Sequence, residues 1–316
     1  MNAAEVNPQE LSMPNAKRGL ADRAWKKIRV ALRFHGKGTF PNFPIPVRLP
    51  FGAWWLAWND VVGKAVLKGS FDKPECDFLS RFLQPGMTVL DVGAHHGYYA
   101  LLASGRVGDS GRVFAFEPSP RERKKLKWHI RWNHCSNVEI LDTAMGSKAG
   151  QAELFVAAGR ETGCNSLRPP AVRGTPKKVS VPVDTLDEFL SRRGIERVDF
   201  IKMDVEGAEL SVMQGAEYLL SGKKRPVVLV EVCDLRTAAW GYAAPEILKH
   251  LVERGYRWFE AREGGGLVTA VLDSKSYDGN FIAVPAENID RFEEYFTSGQ
   301  HAPTARPGMQ RVNDPK

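Results

Sequence analysis

A chain of 316 residues exceeds a typical single domain, which favours one catalytic α/β unit carrying appendages. Its 44 lysines and arginines against 37 aspartates and glutamates give a formal charge of +7, gathered mainly in Lys17 to Arg33 and Arg121 to Arg131. No apolar run reaches the roughly 18 residues a membrane span needs, Met1 to Pro14 lack the layout of a secretory leader, and Cys76, Cys135, Cys164 and Cys233 form no Cys-x-x-Cys pair, so a cytoplasmic protein without a disulfide framework or structural zinc is expected.

Residues 1–50 read as a basic N-terminal arm, disordered over 1–15 and helical from Ala16 to Phe34. That helix sets Leu20, Trp25, Ile28 and Leu32 against Lys17, Lys26, Lys27, Arg29 and Arg33. Two readings stand: docking on the main domain, or peripheral membrane contact through residues 16–34. A proline-rich connector, Pro41 to Pro50, leads to residues 51–86, an irregular lead-in whose aromatic Phe51 to Trp58 segment packs on the domain edge.

From 87 to 298 the pattern becomes that of an α/β domain. Thr88–Val92, Arg112–Glu117 and Val138–Leu141 are short β-rich runs separated by helical stretches, which implies a parallel sheet. Between Gly146 and Gly194 an inserted β-hairpin, 152–156 with 177–183, interrupts strands 3 and 4, joined by a Gly, Asn and Pro-rich loop. A helix from Thr185 to Arg193, N-capped by Asp184, precedes strands 198–203 and 226–232; Tyr256–Ala261 and 280–284 complete about seven strands. The tail 299–316 is expected to be mobile.

Ligands of open α/β sheets sit beyond the carboxyl ends of the strands, and here those ends are acidic. The first strand leaves through Asp91-Val92-Gly93-Ala94-His95-His96-Gly97, a Gly-x-x-x-Gly turn. It lacks the middle glycine that admits a dinucleotide pyrophosphate, so a nicotinamide cofactor is disfavoured. Glu117 ends the second strand within reach of a ribose, and ribose recognition without pyrophosphate recognition points to S-adenosyl-L-methionine.

The most charged segment, Val198 to Glu209, drives Lys202 and two carboxylates through a buried strand and its exit, which needs pairing or chemistry to justify it. Together with Val89 to Tyr99, Phe116-Glu117-Pro118 and Val183 to Asp187, it resembles the FkbM family of S-adenosylmethionine-dependent methyltransferases over about residues 70–285. The resemblance implies a Rossmann-like class I fold, a seven-stranded mostly parallel sheet with helices on both faces and its last strand antiparallel, and methyl transfer to a hydroxyl oxygen. It implies that Asp91, Gly93, Ala94 and Gly97 line the methionine side, that Glu117 with Pro118 holds the ribose, and that Asp142 to Ala144 lies near the adenine. Where the family more often has Asn and an aliphatic residue this chain has His95 and His96, so His96 joins the cofactor-binding candidates; a solvent-facing or helix-capping role is the alternative.

A hydroxyl must lose its proton as it attacks a sulfonium methyl, and Asp204 and Glu206 are the candidate catalytic bases. Lys202 reads as their structural ion-pair partner, and Glu231 either orients substrate or pairs with Lys202. Three carboxylates at one mouth leave a divalent cation open, without a metal ligand being assigned. The basic and aromatic Arg121 to Trp132 helix raises a rival nucleic-acid methyltransferase, against the simpler reading of a sheet-covering helix with Leu126 and Ile130 buried. A non-catalytic cofactor-binding protein is the other alternative, opposed by the intact Asp204-Val205-Glu206-Gly207. The loop Gly159 to Pro176 is expected to cover the acceptor site, and the family resemblance suggests a sugar, glycolipid or natural-product hydroxyl as the acceptor.

Overall fold

A computed structural model of the chain describes residues 43–296. The expected helix over 16–34, the disorder over 1–15 and the mobile tail from 299 lie outside the described residues.

The lead-in is regular where irregularity was expected. Strands β1 (Ile45–Arg48) and β2 (Trp54–Ala57) form an antiparallel hairpin, and helices α1 (Val61–Lys68) and α2 (Lys73–Phe82) follow. The two strands pair only with each other, so Pro46, one of the prolines that suggested a connector, sits within a two-stranded sheet at no cost to a central ladder, and Pro44 precedes it. Trp55, Phe78, Leu79 and Leu83 are at most 1 % exposed, so the segment is built into the core.

The main sheet joins β3 (Thr88–Val92), β4 (Arg112–Phe116), β5 (Val138–Leu141), β9 (Phe200–Met203), β10 (Val227–Cys233), β11 (Tyr256–Ala261), β12 (Leu267–Thr269) and β13 (Asp278–Pro285). Its order is β12-β11-β13-β10-β9-β3-β4-β5. The central pairings are parallel, and the last strand, β13, is antiparallel to both of its neighbours. Seven strands were expected; β12, only three residues long, folds back antiparallel on β11 as an eighth and was too short to give a periodic signal. The insertion is likewise larger than a hairpin: β7 (Gly150–Val156) and β8 (Lys177–Asp184) pair antiparallel, and β6 (Ala144–Met145) adds a parallel edge.

Helix α5 (Leu186–Arg193) is capped by Thr185, not by Asp184. The backbone of Asp184 is still in β8, where its carbonyl accepts from Gly146 at 2.9 Å, while the Thr185 hydroxyl oxygen accepts from the Glu188 amide at 3.1 Å. The remaining helices that matter for the site are α3 (Tyr98–Val107), α4 (Pro120–Trp132), α6 (Glu209–Gln214), α7 (Glu217–Ser221), α8 (Asp234–Thr237) and α9 (Pro245–Val252).

Strand β3 is flanked by β4 on one side and β9 on the other, so the chain order reverses beside it and a crevice opens at its carboxyl end. Gly93 and Ala94 turn there, both donating to the Phe116 carbonyl, at 3.0 and 2.9 Å. Gly93 has φ +84°, and a Cβ on it would lie 1.8 Å from the Asp204 carbonyl oxygen. Gly93→Ala is therefore expected to cost about 1–3 kcal/mol from the left-handed backbone, with the overlap adding to it. Denaturant melts check this; an unchanged midpoint would remove the close approach of the two turns.

Candidate active site

The ends of β3, β4, β9 and β10 wall a cavity of about 300 Å³ together with α1, the turn that leads into α2, β6 and the 161–167 segment of the insertion. Asp91, Gly93, Ala94, His96, Glu117, Pro118, Ala144, Asp204 and Glu206 all line it. Two expected residues do not. Asp142 is exposed, leaving Thr143 and Ala144 as the wall, because the strand has ended at Leu141 and the turn presents its polar side chain to water. Gly97 instead lets two helices approach, since a Cβ there would meet Leu126 Cδ1 at 2.3 Å.

Glu117 is 5 % exposed, yet its two oxygens accept from the His95 and Ser119 backbone amides, each at 2.7 Å. Burial pushes its pKa up to about 8, offset in part by those donors and by Arg123. The carboxyl is thereby locked in orientation toward the cavity. Asp91 is 2 % exposed with Oδ2 unpartnered; burial lifts its pKa to about 7, against the pull of Lys202.

His96 is not a solvent-facing or capping residue: it is 1 % exposed, with its ring beside Trp55 and Trp58 and stacked on His95 at 3.6 Å. Burial drives its pKa well below the usual histidine range, so it is neutral. His129 supports this wall, its Nδ1 2.7 Å from the His96 carbonyl and its Nε2 accepting from the Leu56 amide at 3.0 Å. The apolar aromatic shelf comes from the lead-in, which the sequence pattern did not connect to the site.

The opposite wall is acidic. Asp204 Oδ2 lies 3.1 Å from Lys202 Nζ, and Lys202 also faces Asp72 and Glu231 and stands 5.1 Å over the Tyr99 ring. Burial alone would lower the lysine pKa; Asp204, Asp72 and Glu231 outweigh it, so Lys202 remains charged. Glu206, at φ +55°, pairs with Arg236 Nε at 2.7 Å, and burial and Asp204 still push its pKa up to about 8. Asp204 and burial hold Glu231 well above the carboxylate range. The turn carrying these groups is tied by the buried Glu209, which accepts from the Val205 and Gly207 amides at 2.9 and 3.3 Å. Ser166 adds a bond from the insertion, its hydroxyl donating to the Glu206 carbonyl at 2.8 Å.

Asp72 and Arg236 reach the site without any motif to announce them. Asp72 sits at the N-terminus of α2 with φ 38° and makes no capping bond; its carboxylate instead accepts from Tyr99 Oη at 2.9 Å on the cavity wall. A foregone cap and a left-handed backbone are both visible only after folding.

Oxygens of Asp204, Glu206 and Glu231 lie within 4.8 Å of one another, as do ligand atoms of His95, His96 and Glu122. The first group already faces Lys202 and Arg236, and in the second Glu122 is bonded to Arg121 and Ser119. The fit to an S-adenosyl cofactor is better founded: an oriented buried carboxylate, a glycine turn and an unpartnered Asp91 oxygen converge on one cavity.

A Rossmann-like sheet with its crevice at the β3 switch point, an acidic ribose-type acceptor after β4 and an acidic mouth after β9 define a nucleoside-cofactor transferase site. The methyltransferase FkbM domain model matches residues 91–258, and the chain belongs to that family of S-adenosylmethionine-dependent methyltransferases. Among curated relatives, the methyltransferase sdnD of Sordaria araneosa is 30% identical over 156 residues, 41% of this chain and 60% of that protein. The 2-O-methyltransferase NoeI of Sinorhizobium fredii is 24% identical over 150 residues, 44% of this chain and 60% of that one. The AMB antimetabolite synthetase AmbE of Pseudomonas aeruginosa is 27% identical over 209 residues, 55% of this chain but 10% of the synthetase. The aligned regions thus span less than two thirds of each of these relatives. Among solved structures, the FkbM methyltransferase of Methylobacillus flagellatus superposes with a TM-score of 0.41 at 16% identity, covering 71% of this chain and 52% of that one. No helix of the described residues is long and apolar enough to cross a membrane.

Proposed function

We propose that this chain transfers a methyl group to a hydroxyl oxygen of a sugar, glycolipid or natural product. The observation that carries the reading is the pairing, in one cavity, of the oriented Glu117 on one wall with Asp204, Glu206 and Glu231 on the other. When bound, S-adenosylmethionine supplies an electrophilic methyl carbon on a sulfonium. Glu117 holds the ribose hydroxyls, and Asp91 and the Gly93-Ala94 turn border the methionine portion. Asp204 takes the acceptor's proton as its oxygen bonds to the methyl carbon and the carbon–sulfur bond breaks. Lys202 pairs with Asp204 and fixes its position for that task, and Arg236 does the same for Glu206 at the edge of the acceptor space.

The mouth also bears on acceptor charge. Asp72, Glu161, Asp204, Glu206 and Glu231 line it with Lys202 and Arg236, so carboxyl groups outnumber cations, which offers a polyanion such as RNA no net attraction and suits a neutral polyol. The name of NoeI, a 2-O-methyltransferase, supports oxygen as the acceptor atom.

The test is incubation of the protein with methyl-labelled S-adenosylmethionine and fractionated cell extract, with and without EDTA. Label is expected in a neutral glycan, glycolipid or small-molecule fraction as a base-stable ether, and to survive EDTA because the protein's own cations serve the acidic wall. Label confined to nucleic acid would overturn the acceptor class, and abolition by EDTA restored by Mg²⁺ would replace Lys202 and Arg236 with a metal in that role.

A further inference from the structure

One face of α4 has no part in the site. Lys124, Lys127, Trp128, Arg131 and Trp132 are all exposed and recur at i, i+3, i+4, i+7 and i+8, so they form a single stripe along the helix. The opposite face is fully committed: Leu126, His129 and Glu122 are 0 % exposed and Ile130 is 7 % exposed. Packing therefore fixes which way the stripe points. Glu122 is the helix's one carboxylate, and its burial leaves the outward face with cations and indoles alone.

Trp128 is 60 % exposed and touches no other ring among the described residues. Lys124, Lys127 and Arg131 form no ion pair among them either. The stripe widens onto the neighbouring hairpin, where Trp54 stacks on Trp132 with centroids 5.7 Å apart and the exposed Arg48 guanidinium stands 5.8 Å from the Trp54 ring. Desolvating two large indoles in a field of unpaired cations calls for a partner that is anionic at its surface and apolar just beneath.

We propose that this stripe is a docking surface for an anionic lipid bilayer. Indoles settle at the boundary between headgroups and acyl chains, and lysine and arginine stems reach from there to lipid phosphates. Charge decides against two other occupants. The chain's own residues 1–42 carry a basic run from Lys17 to Arg33, of the same sign as the stripe. A second copy placed two-fold symmetrically would set Lys124, Lys127 and Arg131 against themselves. The surface also gives a methyltransferase of lipid-bound acceptors a way to work at the membrane without a spanning helix.

The test is co-sedimentation of the full chain with phosphatidylcholine vesicles, with and without phosphatidylglycerol. The parent is compared with Trp128→Ser and with the triple variant Lys124→Gln/Lys127→Gln/Arg131→Gln, each first checked for an unchanged thermal midpoint and unchanged S-adenosylhomocysteine binding. The substituted side chains are exposed, so the variants retain the fold. The parent is expected to partition onto the anionic vesicles only, with the triple variant at least tenfold weaker and Trp128→Ser weaker even in high salt. The proposal is overturned if the parent binds no vesicle, or if both variants bind like the parent, which would assign the attraction to residues 1–42. It is also overturned if the same substitutions abolish binding to a single-stranded RNA homopolymer while vesicles are ignored.

Discussion

Replacing Glu117 with glutamine is expected to weaken S-adenosylhomocysteine binding roughly 100-fold in calorimetry, because charge-assisted hydrogen bonds to two ribose hydroxyls are worth about 1.5–3 kcal/mol each. Glutamine also turns an N–H toward one of the amides of His95 and Ser119 that now hold the carboxylate at 2.7 Å, so the orientation of the side chain is lost along with its charge. A variant that binds like the parent would take the ribose away from Glu117.

The same residue is expected to make cofactor binding pH-dependent. With its pKa near 8, raised by burial, Glu117 is largely protonated in the free protein at neutral pH, and binding that requires the ionised form must release a proton. Affinity is expected to rise with pH up to about 8 and then level off, and Glu117→Gln is expected to flatten the rise. Stability of the unliganded protein runs the other way. Asp91, Glu117 and Glu209 have folded pKa values near 7, 8 and 7, above those of unfolded carboxyls. Between the two ranges the folded state binds more protons than the unfolded one, so stability is fullest below the unfolded values and falls as pH rises through 7 to 8. Thermal melts from about pH 5 to about pH 8.5 should show a falling midpoint, largest without ligand.

The second large effect separates the members of the acidic wall. Asp204→Asn is expected to lower kcat by about 10²- to 10⁴-fold, the range for loss of a positioned base, while leaving cofactor affinity within a few-fold. Lys202→Met should instead act on the fold. It leaves Asp204, Asp72 and Glu231 facing one another without their shared cation, and breaking a buried pair typically costs about 3–5 kcal/mol. The folded fraction of Lys202→Met should still turn over measurably. A stable Lys202→Met protein with no turnover would move the lysine into the chemistry, and an Asp204→Asn enzyme with parental kcat would shift the base to Glu206 or Glu231.

The β-strands of the sheet were legible because each buries a short run of apolar residues: Val89, Leu90 and Val92, or Val228, Leu229 and Val230, are at most 2 % exposed. Their ends were legible because a carboxylate leaving such a run is conspicuous, which is how Asp91, Glu117, Asp204 and Glu206 were found together. Errors came where local cues were balanced. Asp184 and Thr185 are both good caps, and only the ladder bond from Gly146 to the Asp184 carbonyl decides which residue opens the helix. The prolines around β1 masked a hairpin, and three residues of β12 carry too little pattern to identify a strand.

By itself the sequence determined the α/β character, the family and the acidic end of the sheet, since these rest on periodicity and on ordered motifs within short stretches of chain. Only the tertiary structure decided that Asp72 and Trp55 from the lead-in, Ser166 from the insertion and Arg236 from α8 share one cavity with Asp204. It also decided that His96 is a neutral wall residue and that Lys124, Lys127 and Arg131 of α4 face outward with two tryptophans. Contacts between residues tens to more than a hundred positions apart leave no local periodicity, and burial, which sets the charge of Glu117 and His96, exists only once the chain has closed around them.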